Sequence, residues 1–444
     1  MMKPRTRHAS HRPAPKLAPF DVRLEKLVYG GEALAHHDGA TVFVPLGLAG
    51  ELVQVEPTEQ KKKFVRGRVA KVLEPSADRI QPRCPHFGTC GGCHYQNLSY
   101  PAQVRAKTEI LRETLGRIGH VRWDGPIATH SFAEFGYRNR AQWRIRRAEG
   151  APGIGYFQGR SQELCPVQEC PILSPRLEAT LRTLAGLLAD GRLPAGADEI
   201  EAFADAEDSR LLLSISVARL EDATELPETL RNALPEMESL LLLQESSGRM
   251  ELHGPGYLHY RVGEHNYRVG HLSFFQVNRF ALETIVTTVI GERRGKLALD
   301  LFAGVGLFTV PLAQRFERVV AVESSPAAMR DLEFNLQESG GTSAAAREAT
   351  TEVFLPKWHD RPDFVVLDPP RAGVDEAALR RLIKLAPPEI SYLSCDPATL
   401  ARDLAVLTGS EAAPGPYRIG DLQLFDIFPQ TFHMEALVRL ERRT

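Results

Sequence analysis

Hydrophobic and polar positions alternate in short runs through the first part of the chain. "FDVRLEKLV", "ATVFVPL", "ELVQVEP" and "FVRGRVAKVLEP" are rich in β-branched residues and partly alternating, as half-buried strands are. "YGGEA", "HDGA" and "GLAGE" separate them; Gly30, Gly31, Asp38, Gly39 and Gly47 suit the positive φ of tight turns. About five such strands within residues 19–76 predict an OB-like β-barrel. The period then changes. In "SYPAQVRAKTEILRETLGRIGHV", Val104, Ile110, Leu111, Leu115 and Ile118 mark one stripe of a helix over 101–119, starting at Ser99 or Pro101 and ending at Gly119. Strands and helices mix from there to residue 272, so residues 77–272 read as a mixed α+β central domain. From 273 to 444 strands alternate with helices, the pattern of a Rossmann-like, doubly wound domain. Its candidate strands are "KLALDLF", "RVVAVE", "DFVVLD", "ISYLSC", "LFDIFP" and "EALVRL". The fold class is multidomain α/β.

Charge adds a direction to this layout. The net charge of −2 hides an asymmetry: residues 1–147 hold 25 Lys and Arg against 13 Asp and Glu, and residues 148–444 hold 29 against 43. A basic front on an acidic rear points to a polyanion held by the front. Residues 1–18 read as a disordered basic tail. Lys61, Lys62, Lys63, Arg66 and Arg68 flank one strand pair and can track a phosphate backbone. "YRNRAQWRIRRAEG" sets Arg138, Arg140, Arg144, Arg146 and Arg147 around Trp143, and alternation puts Arg140, Arg144 and Arg146 on one strand face, a candidate RNA surface. No apolar run approaches the roughly 18 residues of a membrane span, and the start carries no secretory pattern. The expectation is a cytoplasmic monomer with no membrane partner and reduced cysteines, which then read as ligands or nucleophiles.

Three of the six cysteines crowd into "CPHFGTCGGC": Cys84, Cys90 and Cys93. Such a run with one further thiolate closes a four-thiolate site, for which an iron–sulfur cluster and zinc compete.

The chemistry concentrates in the last domain. "LALDLFAGVGLFTVPLA" is a strand, a Gly-rich turn and a helix, with Gly304 and Gly306 permitting close backbone approach. A dinucleotide fingerprint would place Gly or Ala where Thr309 stands, so the pyrophosphate signature is broken. Asp300 at the strand end can face a cation, and Glu323, closing "RVVAVE", can accept two ribose hydroxyls. That set suits S-adenosylmethionine better than NAD. Asp368 in "VVLDPPRAG" should face the same crevice. Arg371 stands where amino-group methylases often carry a base-stacking aromatic. Cys395 ends the "ISYLSC" strand at that edge and reads as a nucleophile. A thiolate adding to carbon 6 of a uracil makes carbon 5 an enolate carbon able to take a methyl group, and a base must then remove the proton from carbon 5. Glu435 in "FPQTFHMEALVRL" is the candidate base, with His433 two residues before it on the same strand face.

These stretches together resemble the bacterial RNA (uracil-5-)-methyltransferase family, in its 23S ribosomal RNA subgroup, over nearly the whole chain after the tail. "SCDPATLARDL" resembles the nucleophile motif and "PQTFHMEALVRL" the closing motif, which implies Cys395 as catalytic thiol and Glu435 as base. "FFQVN", "DLFAGVGLFT", "VVAVE" and "LDPPRAG" imply Gln276, Phe302, Gly304, Glu323 and Asp368 as positions binding S-adenosyl-L-methionine. "YGGEALAHHDGATVFVPLGLAGE" resembles the TRAM RNA-binding domain. The resemblance also implies a [4Fe–4S] cluster on Cys84, Cys90, Cys93 and, from "QECPILSPRL", Cys170, with Cys165 as rival fourth ligand and zinc as alternative metal. The implied activity is 5-methyluridine formation in RNA, ribosomal RNA favoured over transfer RNA. Two rivals are an RNA-binding protein without catalysis, opposed by intact Cys395 and Glu435, and an iron–sulfur NAD oxidoreductase, opposed by Thr309.

Overall fold

The computed structural model describes residues 18–147, 152–341, 343–410 and 413–444. Except for Ala18, the expected basic tail lies outside them. The chain divides into two compact units at Arg79 and Ile80.

The first unit holds β1 (Phe20–Arg23), β2 (Lys26–Val28), β3 (Glu32–His37), β4 (Ala40–Pro45), β5 (Leu52–Gln60) and β6 (Phe64–Glu74). They form one TRAM-like half-barrel sheet in the order β1-β5-β6-β4-β3-β2. "FDVRLEKLV" is two strands rather than one. At Leu24 and Glu25 the backbone changes partner, Leu24 N–H bonding Glu51 O and Glu25 N–H bonding Leu34 O. One continuous segment thus joins the two sheet edges and curls the sheet. Val22, Leu24, Leu27, Ala33, Ala35, Val42, Val44, Val53, Val55 and Val65 fill it. Gly30, Gly31, Asp38 and Gly39 take positive φ as the turns require, but Gly47 does not; Leu46 (+62°) and Gly50 (+83°) do. Gly47 is needed for space instead, since a Cβ there would stand 2.4 Å from Leu24 Cδ1.

The second unit begins with the Cys-rich segment and α1 (Tyr100–Gly119). Its seven-stranded sheet contains β8 (Arg140–Arg146), β9 (Gly153–Phe157), β10 (Leu164–Pro166), β11 (Ala197–Ala204), β12 (Leu211–Val217), β13 (Met237–Gln244) and β14 (Arg249–His253). The order is β10-β9-β8-β11-β12-β13-β14, with α2 (Pro175–Ala189) and α3 (Leu226–Ala233) among the helices covering it. Its core gathers Trp143, Leu177, Leu181, Ile200, Leu213 and Ile215. A hairpin, β15 (Tyr257–Val262) and β16 (His265–Gly270), leads onward.

The Rossmann-like sheet follows. Its parallel strands are β17 (Gly295–Leu301), β18 (Phe316–Glu323), β19 (Ala344–Glu348), β20 (Phe364–Leu367) and β21 (Glu389–Ser394). Helices α4 (Leu282–Ile290), α5 (Thr309–Ala313), α6 (Pro326–Glu338), α7 (Thr351–Phe354), α8 (Glu376–Leu385) and α9 (Pro397–Thr408) alternate with them. β22 (Tyr417–Phe425) and β23 (Glu435–Arg442) close the chain, and the order is β19-β18-β17-β20-β21-β23-β22-β7. The edge strand β7 (Ala128–His130) comes from the segment read as central domain.

Two sequence expectations change here. The "LFDIFP" strand ends at Phe425, and residues 426–434 form the connection to β23. On α1, Ile118 is half exposed, while Gln103 and Lys107 are fully buried with Ile110, Leu111 and Leu115. The buried face follows an i, i+4 row of mixed polarity that an apolar-only pattern cannot register. Gly119 lies against Ala401 of α9, where a Cβ would come within 2.3 Å of the Ala401 carbonyl oxygen. Among the described residues no helix is long and apolar enough to cross a membrane.

Candidate active site

β17, β18, β20 and β21 run parallel, so their carboxyl ends share one edge; β23 runs antiparallel to β21, so its first residue lies there too. Ligands of doubly wound sheets bind along that edge. Phe302 and Gly304 leave β17, Glu323 closes β18, Asp368 follows β20, Cys395 follows β21 and Glu435 opens β23.

The turn after β17 is the strained part. Phe302 has φ +67°, unusual for a bulky residue, and Gly304 (+55°) and Gly306 (+93°) continue the left-handed path. A Cβ on Gly304 would meet nothing within 4 Å, whereas one on Gly306 would press Leu332 Cδ1 at 2.7 Å. Gly304 therefore borders open space and Gly306 seats the turn on α6. Glu323 holds the turn: its Oε2 accepts from Gly304 N–H at 2.8 Å and its Oε1 from Ser324 and Ser325 N–H, both at 2.7 Å. Oε2, which accepts only once, keeps acceptor capacity for a hydroxyl.

Asp300 is fully buried. Thr309 Oγ1 donates to its Oδ2 at 2.5 Å, and its Oδ1 has no hydrogen-bond partner among the described residues. Burial, then the nearby Glu323 charge, pushes Asp300 up to about 7. Burial and the Asp300 charge do the same to Asp368, also to about 7. A cluster of buried carboxyl groups fits a ligand bearing sulfonium and ammonium charge and repels a pyrophosphate. Thr309, which breaks the dinucleotide signature, is the residue that orients Asp300.

Strand register sets the other half of the site. Ser394 pairs with Ala436, so the same register carried one residue further puts Cys395 opposite Glu435. Facing residues of antiparallel strands stand about 4.5–5.5 Å apart at Cα. Burial pushes the Cys395 thiol up to about 12, with the Glu435 and Asp368 carboxylates adding to it and Arg371 opposing. Cys395 also precedes the N-terminus of α9, whose first turn is capped by Asp396, a partly positive helix end. Glu435 is 2% exposed and its Oε1 has no partner among the described residues. Burial, then Asp368, holds its carboxyl well above the usual range.

Two placements differ from the sequence reading. His433 is not on the last strand, so the two-residue alternation does not apply; it accepts from Arg371 Nη2 at 3.3 Å through Nδ1 and lies 4.1 Å from the Phe432 ring. Burial and Arg371 lower it to about 3, which keeps it neutral. Of the expected RNA-facing arginines, Arg140 pairs with Glu201 and Arg144 with Glu199, both on β11. That strand face is largely charge-compensated. Gln276 is buried in the segment between β16 and α4, and Asn278, two residues on, donates to Ile427 O at 3.0 Å.

Among the described residues no group of three or more His, Cys, Asp or Glu side chains is assembled to hold a metal. The chemistry of the thiol set nevertheless fits a cationic group. Burial raises Cys90 to about 11 and Cys93 and Cys170 to about 12, and Cys84 is raised as well. The charges of Cys84, Cys90 and Cys93 all act on Cys170, and that of Cys165 acts on Cys84 and Cys90. Thiolates so placed repel one another unless a positive centre binds them.

Sequence reading missed the connection between β22 and β23. Its Asp426 is bonded by Lys107 at 2.6 Å, and Gln430 by Gln103 at 2.9 and 3.0 Å. Polar residues inside the α1 stripe were the available signal.

The family model described as tRNA (Uracil-5-)-methyltransferase matches residues 355–443, the part that contains Asp368, Cys395 and Glu435, and one described as Conserved hypothetical protein 95 matches 281–390. An RNA methyltransferase from Aquifex aeolicus is 32% identical over 433 residues, covering 95% of this chain and 98% of its own. A 23S rRNA (uracil(1939)-C(5))-methyltransferase from Alkalilimnicola ehrlichii is 31% identical, covering 96% and 97%. The chain belongs to the RNA (uracil-5-)-methyltransferase family. This RNA (uracil-5-)-methyltransferase takes its methyl group from S-adenosylmethionine. Its fold matches a Pyrococcus abyssi tRNA (uracil-54, C5)-methyltransferase crystallised with S-adenosyl-L-homocysteine, with TM-score 0.75, 24% identity and coverage of 94% and 99%.

Proposed function

We propose that this methyltransferase makes 5-methyluridine in 23S ribosomal RNA through a covalent bond between Cys395 and the target uracil. The observation that carries the reading is the β21–β23 register, whose last pair, Ser394 with Ala436, leaves Cys395 and Glu435 as the next residues of the two strands at the sheet edge that also carries Asp300, Glu323 and Asp368, with the Glu435 charge acting on Cys395. Cys395, which is partly exposed, gives its thiol proton to water as its Sγ bonds to carbon 6, and Arg371 offsets the negative charge that develops. Carbon 5 then takes the methyl carbon as the donor's S–CH3 bond breaks. Glu435 removes the proton from carbon 5, and the C6–S bond breaks to release the product. A buried carboxyl held above its usual range is suited to keep that proton. Phe302, Gly304, Glu323 and Gln276 position the donor, with Asp300 and Asp368 facing its positive charge. The target base reaches this buried pair by leaving its stack.

Cys84, Cys90, Cys93 and Cys170 would hold the [4Fe–4S] cluster, whose positive iron would offset four thiolates and bind two distant segments together. Ribosomal RNA is favoured by the Alkalilimnicola relative, which matches end to end. Mapping 5-methyluridine in ribosomal and transfer RNA from a strain lacking this gene tests the target. Loss at a 23S position supports the reading; loss only in transfer RNA replaces the target.

A further inference from the structure

The segment 426–434 is the only covalent route by which β22 delivers Glu435, and it has no regular structure. Four consecutive carbonyl oxygens in it are nevertheless bonded, each by a different part of the unit. Ile427 O accepts from Asn278 Nδ2 at 3.0 Å, Phe428 O from Lys107 Nζ at 3.0 Å, and Pro429 O from the Tyr137 hydroxyl at 2.9 Å. Gln430 O accepts from the N–H groups of His94 and Tyr95 at 2.8 and 3.0 Å. Two side-chain clasps complete the hold. Lys107 Nζ pairs with Asp426 Oδ1 at 2.6 Å with both side chains fully buried. Gln103 and Gln430 bond reciprocally, Gln430 N–H to Gln103 Oε1 at 2.9 Å and Gln103 Nε2 to Gln430 Oε1 at 3.0 Å. Gln103 Nε2 also bonds Tyr95 O and Leu98 O at the end of the Cys-rich segment. Gln430 sits at φ +70°, a conformation that persists only where its surroundings enforce it.

A fully buried ammonium–carboxylate pair is weak evidence for stability, because apolar residues of like volume serve as well. Its directionality is what apolar residues cannot reproduce. Here both clasps point at one segment, and that segment ends at the general base. The opposite end of α1 lies on α9, which begins next to Cys395. One helix therefore touches the elements carrying both reacting groups.

We propose that Gln103 and Lys107 are positioning residues for proton removal from carbon 5, holding segment 426–434 so that Glu435 faces the adduct on Cys395. The proposal rests on the covalent mechanism above. It separates two steps. Bond formation at Cys395 and methyl transfer do not use Glu435, whereas release of the product does. Loosening the clasps should slow release and leave adduct formation nearly intact. A purely structural role would slow both together.

The test uses the full chain as purified, unmodified total RNA from cells lacking the gene, and methyl-labelled S-adenosylmethionine. Label in denaturation-resistant protein–RNA adduct and label in free RNA are followed together. Gln103→Met should form adduct at the parent rate, accumulate it, and release product about tenfold more slowly, since small misplacements of a reacting group cost this much or more. The double variant Lys107→Met with Asp426→Leu, which leaves no orphaned charge, should behave alike and serves where Gln103→Met does not fold. Glu435→Gln is the control that accumulates adduct to the greatest extent. Equal slowing of both steps, or no change in either, overturns the positioning role. Absence of adduct in Glu435→Gln instead overturns the covalent mechanism itself.

Discussion

Replacing Asp300 by Asn tests the electrostatic reading of the donor crevice. Asp300 ordinarily titrates at 3.8, and burial with the Glu323 charge holds it at about 7 in the folded chain. The folded state therefore binds this proton more tightly than the unfolded state. Stability falls as pH rises from the unfolded value to the folded one and is level above it. One pH unit of displacement is worth 1.36 kcal/mol, so the donor-free protein gives up about 4 kcal/mol at pH 8 and less than half of that at pH 5. Asn keeps the volume, still accepts from the Thr309 hydroxyl and never ionises. Asp300→Asn should be the more stable protein without donor, by up to about 4 kcal/mol at pH 8 and less than half of that at pH 5. On the proposed assignment, in which Asp300 faces the donor's positive charge, the variant should also bind S-adenosylmethionine more weakly at pH 8. Urea unfolding at both pH values and calorimetric titration of the donor measure these effects. Equal stability of parent and variant at pH 8, or a more stable parent, would refute the reasoning.

Other consequences follow from the same geometry. Cys170→Ser should lose iron and the visible absorbance of the purified protein while Cys165→Ser keeps both; the reverse result would exchange the fourth ligand, and zinc in place of iron would change the metal. Lys107→Met alone strands Asp426 in the interior and should cost about 3–5 kcal/mol in chemical unfolding, while adding Asp426→Leu restores most of it; a double variant as unstable as the single would contradict the buried-pair argument. Gly306→Ala should weaken donor binding by disturbing the turn, because φ is +93° and Leu332 is in the way; calorimetric donor affinity checks it, and an unchanged affinity would contradict the seating of the turn on α6.

The residues at the strand ends were legible in the sequence because local pattern encodes them. Apolar runs leading up to Asp300, Glu323, Asp368 and Cys395 announce buried parallel strands, and the fold law that puts ligands at their carboxyl ends supplies the site. The antiparallel return of β23, which brings Glu435 opposite Cys395, is a tertiary fact that local periodicity does not contain. The division of "FDVRLEKLV" was hidden for the same reason, since a change of strand partner at Leu24 leaves the hydrophobic pattern intact. The face of α1 was misassigned at Ile118 because burial of Gln103 and Lys107 depends on acceptors more than 300 residues away. The arginine-rich β8 looked like an RNA surface because its compensating Glu199 and Glu201 arrive from β11.

The central claim is that the sulfur of Cys395 bonds to the target uracil. RNA carrying 5-fluorouridine has no proton on carbon 5 for Glu435 to remove, so the reaction must stop with protein and RNA joined. Mass spectrometry of the digested adduct should find a methylated fluorouridine on the peptide containing Cys395, and Cys395→Ser should give no adduct and no methylated RNA. An adduct on another residue, or undiminished methylation by Cys395→Ser, would contradict the account.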